Sequence, residues 1–300
     1  NQGEKNFMKA IKLSLVALAT ALVCFAYLYF FDYRQLFLMY RSWRQAVNIS
    51  ACYGEKNFDF TADLNGVRYQ GNTGNYIDKN IFYYGAYEKP VFFFLRDIMT
   101  SAYSDQGVFL DIGANIGGIS VPLAVQRPDL RCVCVEASPM VFRHLQDNIR
   151  GNGLQDRIQP HHVALSNQAS ETIQFYAPSD EFGKGSMSPC FTAVATQVPN
   201  MSLQRFVESL PARPELIKID VEGYERQVFE SGAHYLRAER PGIVLEFCDW
   251  AEQHAGNAPG DAQRLQLDLG YQLVRMEAPQ SVLQAPITEG FAMLLARRPS

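Results

Sequence analysis

The segment that most constrains this chain is Val108-Phe-Leu-Asp-Ile-Gly-Ala-Asn-Ile-Gly-Gly118. An apolar run ends in an acid, a glycine-broken turn follows, and a helical stretch starts near Gly118. Glycines let a chain turn sharply and let a ligand come close to the backbone. The start of a helix adds unpaired N–H groups. The pattern commits the chain to a strand, a tight loop and a helix, and the loop reads as a cradle for a nucleotide or nucleoside.

A second acid sharpens that reading. Arg131-Cys-Val-Cys-Val-Glu136 is another short apolar strand ending in a carboxylate, one strand–helix–strand unit beyond Asp111. In nucleotide-binding α/β folds an acid at this place accepts hydrogen bonds from ribose hydroxyls. The loop departs from the dinucleotide fingerprint, because Asp111 stands two residues before Gly113 and Asn115 occupies the place of the second glycine. No pyrophosphate needs to pack there. An acid at the strand end suits a cation such as an amino group and a sulfonium, which favours S-adenosylmethionine over NAD. Asp111, Gly113, Asn115, Gly117 and Glu136 are therefore expected at the cofactor.

Asp111-Ile-Gly-Ala-Asn-Ile-Gly117 resembles the first motif of the FkbM-type S-adenosylmethionine-dependent methyltransferases. Leu216-Ile-Lys-Ile-Asp-Val-Glu-Gly223 resembles their second hallmark, and Ile243-Val-Leu-Glu-Phe247 their next strand. Tyr84-Gly-Ala-Tyr-Glu88 resembles the G-x-Y-E segment ahead of the core, and the resemblance runs over roughly residues 80 to 297. It implies a class I methyltransferase-like Rossmann fold and O-methylation, often of a sugar or natural-product hydroxyl. It also implies that Glu88 lies near the cofactor and that Ala164 and Leu165, ending a third strand, contact the adenine edge. The Gly183-Lys-Gly-Ser-Met187 loop resembles a family segment that could close over substrate.

Alternating strands and helices predict an α/β, doubly wound, mostly parallel sheet. Strands are expected at Arg157–Leu165, 216–220 and 242–247, and helices at 118–125, from Ser138-Pro139 to Gly151, at 202–210 and at 224–237. Asp261 is expected to cap a helix that ends near Gly270. Tyr271–Met276 and Phe291–Ala296 would form an antiparallel C-terminal edge, and the Ser-, Pro- and Gly-rich stretch 177–200 a loop over the site. Ahead of the core, Phe58–Leu64, Asn65-Gly66 and Val67–Tyr69 give a β-hairpin signal, followed by a helix over Val91–Tyr103. In such sheets ligands bind outside the carboxyl ends of the strands, where Asp111, Glu136, Asp220 and Glu246 all fall.

Methyl transfer needs donor and acceptor held in line, and an alcohol acceptor benefits from a base. Asp220, Glu222 and Glu246 are the catalytic candidates: one could position the acceptor or the methionyl amine, another take the proton. Glu222 could instead cap the following helix, and paired carboxylates could hold Mg²⁺, a reading not favoured here. His161 and His162 are adjacent in a strand and face opposite sides, so at most one can enter the site.

Leu13 to Phe31 is a run of 19 residues without a charge, long enough at about 1.5 Å per residue to match a bilayer core of about 30 Å. Ala17-Leu-Ala19 lies inside the run rather than after it, which argues against a cleaved signal peptide. The expected organisation is a tail (1–12), a transmembrane anchor (13–31), a juxtamembrane and cap region with the hairpin (32–105) and a methyltransferase domain (106–300). Lysines and arginines flank the run on both sides, so charge does not orient it. The cofactor's cytosolic synthesis puts the catalytic domain on that face of a single-pass membrane protein. With a net charge of −4 and no basic stripe, a nucleic-acid partner is not expected. The expected partners are a small-molecule or glycan acceptor and the membrane. An NAD-dependent oxidoreductase on a similar sheet, or a non-catalytic membrane-attached docking module, are the alternatives.

Overall fold

A computed structural model describes residues 57–102, 107–178 and 183–299. The tail, the anchor at 13–31 and the first part of the juxtamembrane region lie outside the described residues. Among those described, no helix is long and apolar enough to cross a membrane.

Residues from Asn57 onward form one compact unit. It opens with the hairpin β1 (Asp59–Leu64) and β2 (Val67–Asn72), paired antiparallel with Leu64 opposite Val67. Asn65 and Gly66 have φ of 53° and 79°, the left-handed pair that a two-residue turn requires. Helices α1 (Tyr76–Tyr84) and α2 (Lys89–Ala102) follow. Then come β3 (Val108–Ile112), α3 (Ser120–Gln126), β4 (Arg131–Glu136), α4 (Pro139–Gly151) and β5 (Ile158–His162). A three-stranded excursion is built from β6 (Ala164–Leu165), β7 (Thr172–Tyr176) and β8 (Ala195–Met201). The chain returns through α5 (Leu203–Ser209), β9 (Pro214–Ile219), α6 (Glu225–Ser231), α7 (Ala233–Glu239) and β10 (Gly242–Cys248). It ends with α8 (Asp249–His254), α9 (Asp261–Asp268), β11 (Gln272–Arg275), β12 (Ala278–Val282) and β13 (Phe291–Arg297).

The main sheet has eight strands in the order β12-β11-β13-β10-β9-β3-β4-β5. From β10 to β5 neighbours run parallel, and β13, β11 and β12 close the other side antiparallel. Both faces are covered, as strands with continuous apolar runs require. On one face Phe109, Cys132 and Leu216 meet Leu123 of α3, Leu145 of α4 and Leu95 of α2. On the other, Leu110, Val133 and Ile217 meet Phe206 of α5, Phe229 of α6 and Leu236 of α7. The hairpin, α1 and α2 contribute to the first of these cores. The chain steps outward from β3 through β4 to β5, then comes back to lay β9 against the other side of β3. The crevice between β3 and β9 is the topological switch point of the sheet.

Four expectations need correction. The strand expected over Arg157–Leu165 is two strands in different sheets, parted at Val163, with β6 paired to β8 rather than continuing β5. The stretch 177–200 ends in β8, whose polar alternation and internal Pro199 hid a strand between β6 and β7. The single helix expected at 224–237 is interrupted at Gly232, which lies against Leu203; a side chain there would meet it at 2.6 Å. Asp261 is the first residue of α9 rather than its cap, a place taken by Gly260 with φ of 84°.

Candidate active site

The loop after β3 is fixed by its own backbone. The N–H groups of Gly113 and Ala114 both donate to the Val135 carbonyl at 3.0 Å, tying the loop to β4. Gly113 has φ of 76°, and a Cβ there would lie 1.8 Å from the Asp220 carbonyl oxygen, so the loop touches the tip of β9. Asn115 also has a positive φ of 52°. Its N–H donates to Glu136 Oε2 (2.9 Å), its side-chain amide to the Gly183 carbonyl (2.8 Å), and its Oδ1 accepts from Ile116 N–H (2.9 Å). Asn115 thus joins the β3 loop to the segment 183–187.

Glu136 ends β4. One carboxylate oxygen accepts from Asn115 N–H and the other from Ser138 N–H at 2.8 Å. Ser138 in turn caps α4, with Pro139 in the first turn, as its sequence predicts. Burial raises the Glu136 carboxyl to about 7, although the two backbone N–H bonds oppose it. Each oxygen keeps a lone pair for a further donor.

Asp111 is completely buried. Ser120 Oγ donates to its Oδ2, and Oδ1 has no hydrogen-bond partner. Lys218 Nζ lies 3.9 Å from that oxygen and 3.0 Å from Asp220 Oδ2. Burial pushes the Asp111 carboxyl up, against the pull of Lys218 and Ser120. Burial would lower Lys218, but the charges of Asp220, Asp111 and Glu88 outweigh it and keep the ammonium protonated.

Three further acids, Glu88, Glu222 and Glu246, line the cleft. Gly85 ends α1 with φ of 77° and its N–H on the Ile81 carbonyl. Three residues later Glu88 turns the chain into α2 from a φ of 46°. Glu222 has φ of 54° and follows Asp220 at the end of β9. It does not cap the next helix, whose N-cap is Tyr224 with no side-chain cap bond; Glu225 in the first turn instead accepts from Val221 N–H at 3.0 Å. Glu246 projects from β10, half-buried. Burial and then the charge of Asp220 raise all three: Glu88 to about 7, Glu222 to about 8, and Glu246 well above the usual carboxylate range.

Glu88, Asp111, Gly113, Asn115 and Glu136 line one cleft together with Ala164, Leu165, Asp220, Glu222 and Glu246. The cleft opens at the carboxyl ends of β3, β4, β9 and β10. Gly117 does not reach it. Its φ of 85° is needed for the turn, its Cβ would strike Val121 at 2.7 Å, and Gly118 lines the wall instead. Neither histidine of β5 enters: His162 stacks on Phe142 and His161 packs edge-on against Phe206. From the 183–187 segment, Gly183, Gly185 and Met187 line the cleft, and Ser186 Oγ donates to the Glu222 carbonyl at 3.0 Å. Sequence reasoning missed Lys218 and Tyr87. A lysine at the centre of the apolar strand Leu216–Ile219 was the available signal, since a lysine is almost never fully buried unless paired. Among the described residues no group of three or more His, Cys, Asp or Glu is arranged to hold a metal ion.

Acids at the tips of parallel strands flanking a switch point, with a buried carboxylate oxygen awaiting a donor, fit the cationic, adenosyl-bearing cofactor of class I methyltransferases. The methyltransferase FkbM domain matches residues 111–273, more than half of the chain. The protein belongs to the FkbM family of S-adenosylmethionine-dependent methyltransferases. This membership answers the choice the sequence left between S-adenosylmethionine and NAD. No curated protein matches its sequence significantly. Distantly similar solved structures include precorrin-6y C5,15-methyltransferase from Geobacter metallireducens (14% identity, TM-score 0.40, 68% of this chain and 88% of that one). Others are a methyltransferase FkbM from Methylobacillus flagellatus (16%, 0.41, 64% and 44%) and TYW2 of M. jannaschii in complex with AdoMet (12%, 0.41, 81% and 88%).

Proposed function

We propose that this protein transfers a methyl group from S-adenosylmethionine to a hydroxyl of a sugar, glycan or glycolipid-type acceptor, in the cleft at the tips of β3, β4, β9 and β10. The observation that carries the reading is Asp111: fully buried, with one oxygen bonded to Ser120 and the other lacking a hydrogen-bond donor. Leaving a buried acceptor unpaired costs about 1–3 kcal/mol, and an ammonium group offers the missing donors. In this reading Asp111 holds the methionyl amine and Glu136 accepts the ribose hydroxyls with the lone pairs that Asn115 and Ser138 leave free. Ala164 and Leu165 form the apolar edge for the adenine, and Gly113 and Asn115 shape the loop. The bound cofactor supplies an electrophilic methyl group.

Asp220, Glu222 and Glu246 face the acceptor. A hydroxyl must lose its proton as the new C–O bond forms, and a carboxyl poised near neutral pH is suited to receive it. Glu222, at about 8, has that property, and Asp220 and Glu246 orient the acceptor beside it. Glu88 closes the wall next to Lys218. The acidic wall also suits a polyol, whose several hydroxyls donate to carboxylate oxygens.

The uncharged run Leu13–Phe31 supports a single membrane anchor, and cytosolic synthesis of the cofactor supports a catalytic domain on that side. Lipid-linked glycans or cell-surface polysaccharide precursors then come within reach. Calorimetric titration with S-adenosylmethionine, with NAD as comparison, tests the donor. Binding of neither would favour the non-catalytic docking reading. Mass spectrometry of membrane glycan extracts, with and without the protein, tests the acceptor. A gain of one methyl on a glycan is expected, and methylation of amines alone would overturn the hydroxyl assignment.

A further inference from the structure

Lys218 stands where the two halves of the site meet. It pairs in register with Asp111 across the switch point between β9 and β3. Its side chain is almost wholly buried, at 4% exposure. Nζ donates to Asp220 Oδ2 at 3.0 Å and stays 3.9 Å from Asp111 Oδ1, close enough for charge attraction but too far for a hydrogen bond. The groups that face it are Asp220 on its own strand's end, Asp111 on β3, Glu88 before α2, and the protonated thiol of Cys134 on β4. A fully buried carboxylate such as Asp111 holds its charge only beside a cation. A lysine bonded to Asp220 alone supplies that cation and leaves the Asp111 oxygen open.

We propose that Lys218 is a positioning residue for methyl transfer. Its ammonium supplies the counter-charge for buried Asp111 and, by bonding only Asp220, reserves Asp111 for the donor's amine while fixing Asp220 on the acceptor side. This rests on the donor reading above. Without the lysine charge Asp111 keeps a proton, which an incoming cation must expel before Asp111 can receive it.

The test is calorimetric titration of the full chain with S-adenosylmethionine in two buffers of different ionisation enthalpy, which gives both the dissociation constant and the protons exchanged per ligand bound. Lys218→Met is expected to bind about tenfold more weakly or worse at pH 7, and to release about one proton more per ligand than the wild type. Adding Asp220→Asn removes the neighbouring negative charge that helps Asp111 hold that proton. The double variant Lys218→Met/Asp220→Asn is therefore expected to regain affinity and lose the extra proton release, which a merely structural lysine would not produce. A wild-type constant and proton count in Lys218→Met would overturn the proposal, as would a double variant no better than the single. If the single variant does not fold, the double removes the ion pair as a unit and decides alone: near-wild-type affinity supports the proposal and lost affinity overturns it. If the wild type itself does not bind the donor, the donor reading falls and this inference falls with it.

Discussion

Gly113→Ala isolates the contact that joins the two halves of the site. The residue sits at φ of 76°, a region that costs an L-residue about 1–2 kcal/mol. The added Cβ would also lie 1.8 Å from the Asp220 carbonyl oxygen, where ordinary contact begins at 3.4 Å. Loop and β9 tip must therefore part by roughly 1.5 Å, and a misplacement of about 1 Å in a catalytic site can cost on the order of a hundredfold. The expected outcome is a tenfold to hundredfold weaker dissociation constant for S-adenosylmethionine, about 1.4–2.8 kcal/mol, alongside a melting temperature lowered by several degrees. Gly153→Ala is the matched control. It has φ of 65° and nothing within 4 Å of its Cβ, so it carries the backbone cost without the clash and should bind the donor as the wild type does. Calorimetry and thermal unfolding on both variants decide the matter. Unchanged affinity in Gly113→Ala, or an equal loss in Gly153→Ala, would refute the claim that close approach of the loop to Asp220 builds the site.

Glu136→Ala leaves the N–H groups of Asn115 and Ser138 unpaired at about 1–3 kcal/mol apiece; donor affinity should fall about tenfold or more, and an unaltered titration would remove Glu136 from the site. Asp220→Asn should depress turnover about a hundredfold, measured as S-adenosylhomocysteine formed with an active acceptor extract; full turnover would strike it from the acceptor side. Glu88, Glu136 and Glu222 lie near 7, 7 and 8 in the fold, against about 4.3 in an unfolded chain. The folded protein therefore binds more protons than the unfolded one across that window. Its stability from these groups is present below about pH 4 and is lost as pH rises through 7 to 8. The ligand-free melting temperature should fall between about pH 5.5 and 8.5 while donor affinity rises; the reverse order of either trend would show that these carboxyls are not held protonated in the fold.

The β3–β4 half of the cleft was legible because its residues sit in periodic, punctuated segments. The apolar run before Asp111 and the one before Glu136 are strands that any α/β sheet would use, and glycines mark the turn between strand and helix. Gly117 shows the limit of that reading. Its sequence place in the loop matches Gly113, yet its freedom serves the packing of Val121 and Leu145 rather than a ligand. The β9–β10 half was legible only as a collection of acids. Whether Glu222 would face the cleft depended on which acid satisfied Val221 N–H, and Glu225 does so through a hydrogen bond that no local pattern announces. Strand β8 escaped because Pro199 and its polar alternation read as loop. Lys218 was visible as an oddity in an apolar strand, but its meaning needed the register of β9 against β3, a long-range fact.

The arrangement has a consequence for how a proton is taken during transfer. The carboxyl of Glu222 is raised by burial and by the neighbouring charge of Asp220, so without a ligand it tends to keep its proton. A cation bound in the same low-dielectric cleft favours the ionised form and prepares the group as a base. When the methyl group leaves, the positive charge on sulfur vanishes, and Glu222 regains its preference for the proton just as the acceptor hydroxyl must shed one. The base is thus strongest as the bond forms rather than in the resting complex, the kind of stabilisation that raises turnover instead of only tightening binding. On this reasoning Glu222→Gln should leave donor affinity within about threefold while lowering turnover on the order of a hundredfold. A variant that bound the donor poorly but kept its turnover would place Glu222 with the cofactor and leave Glu246 as the base.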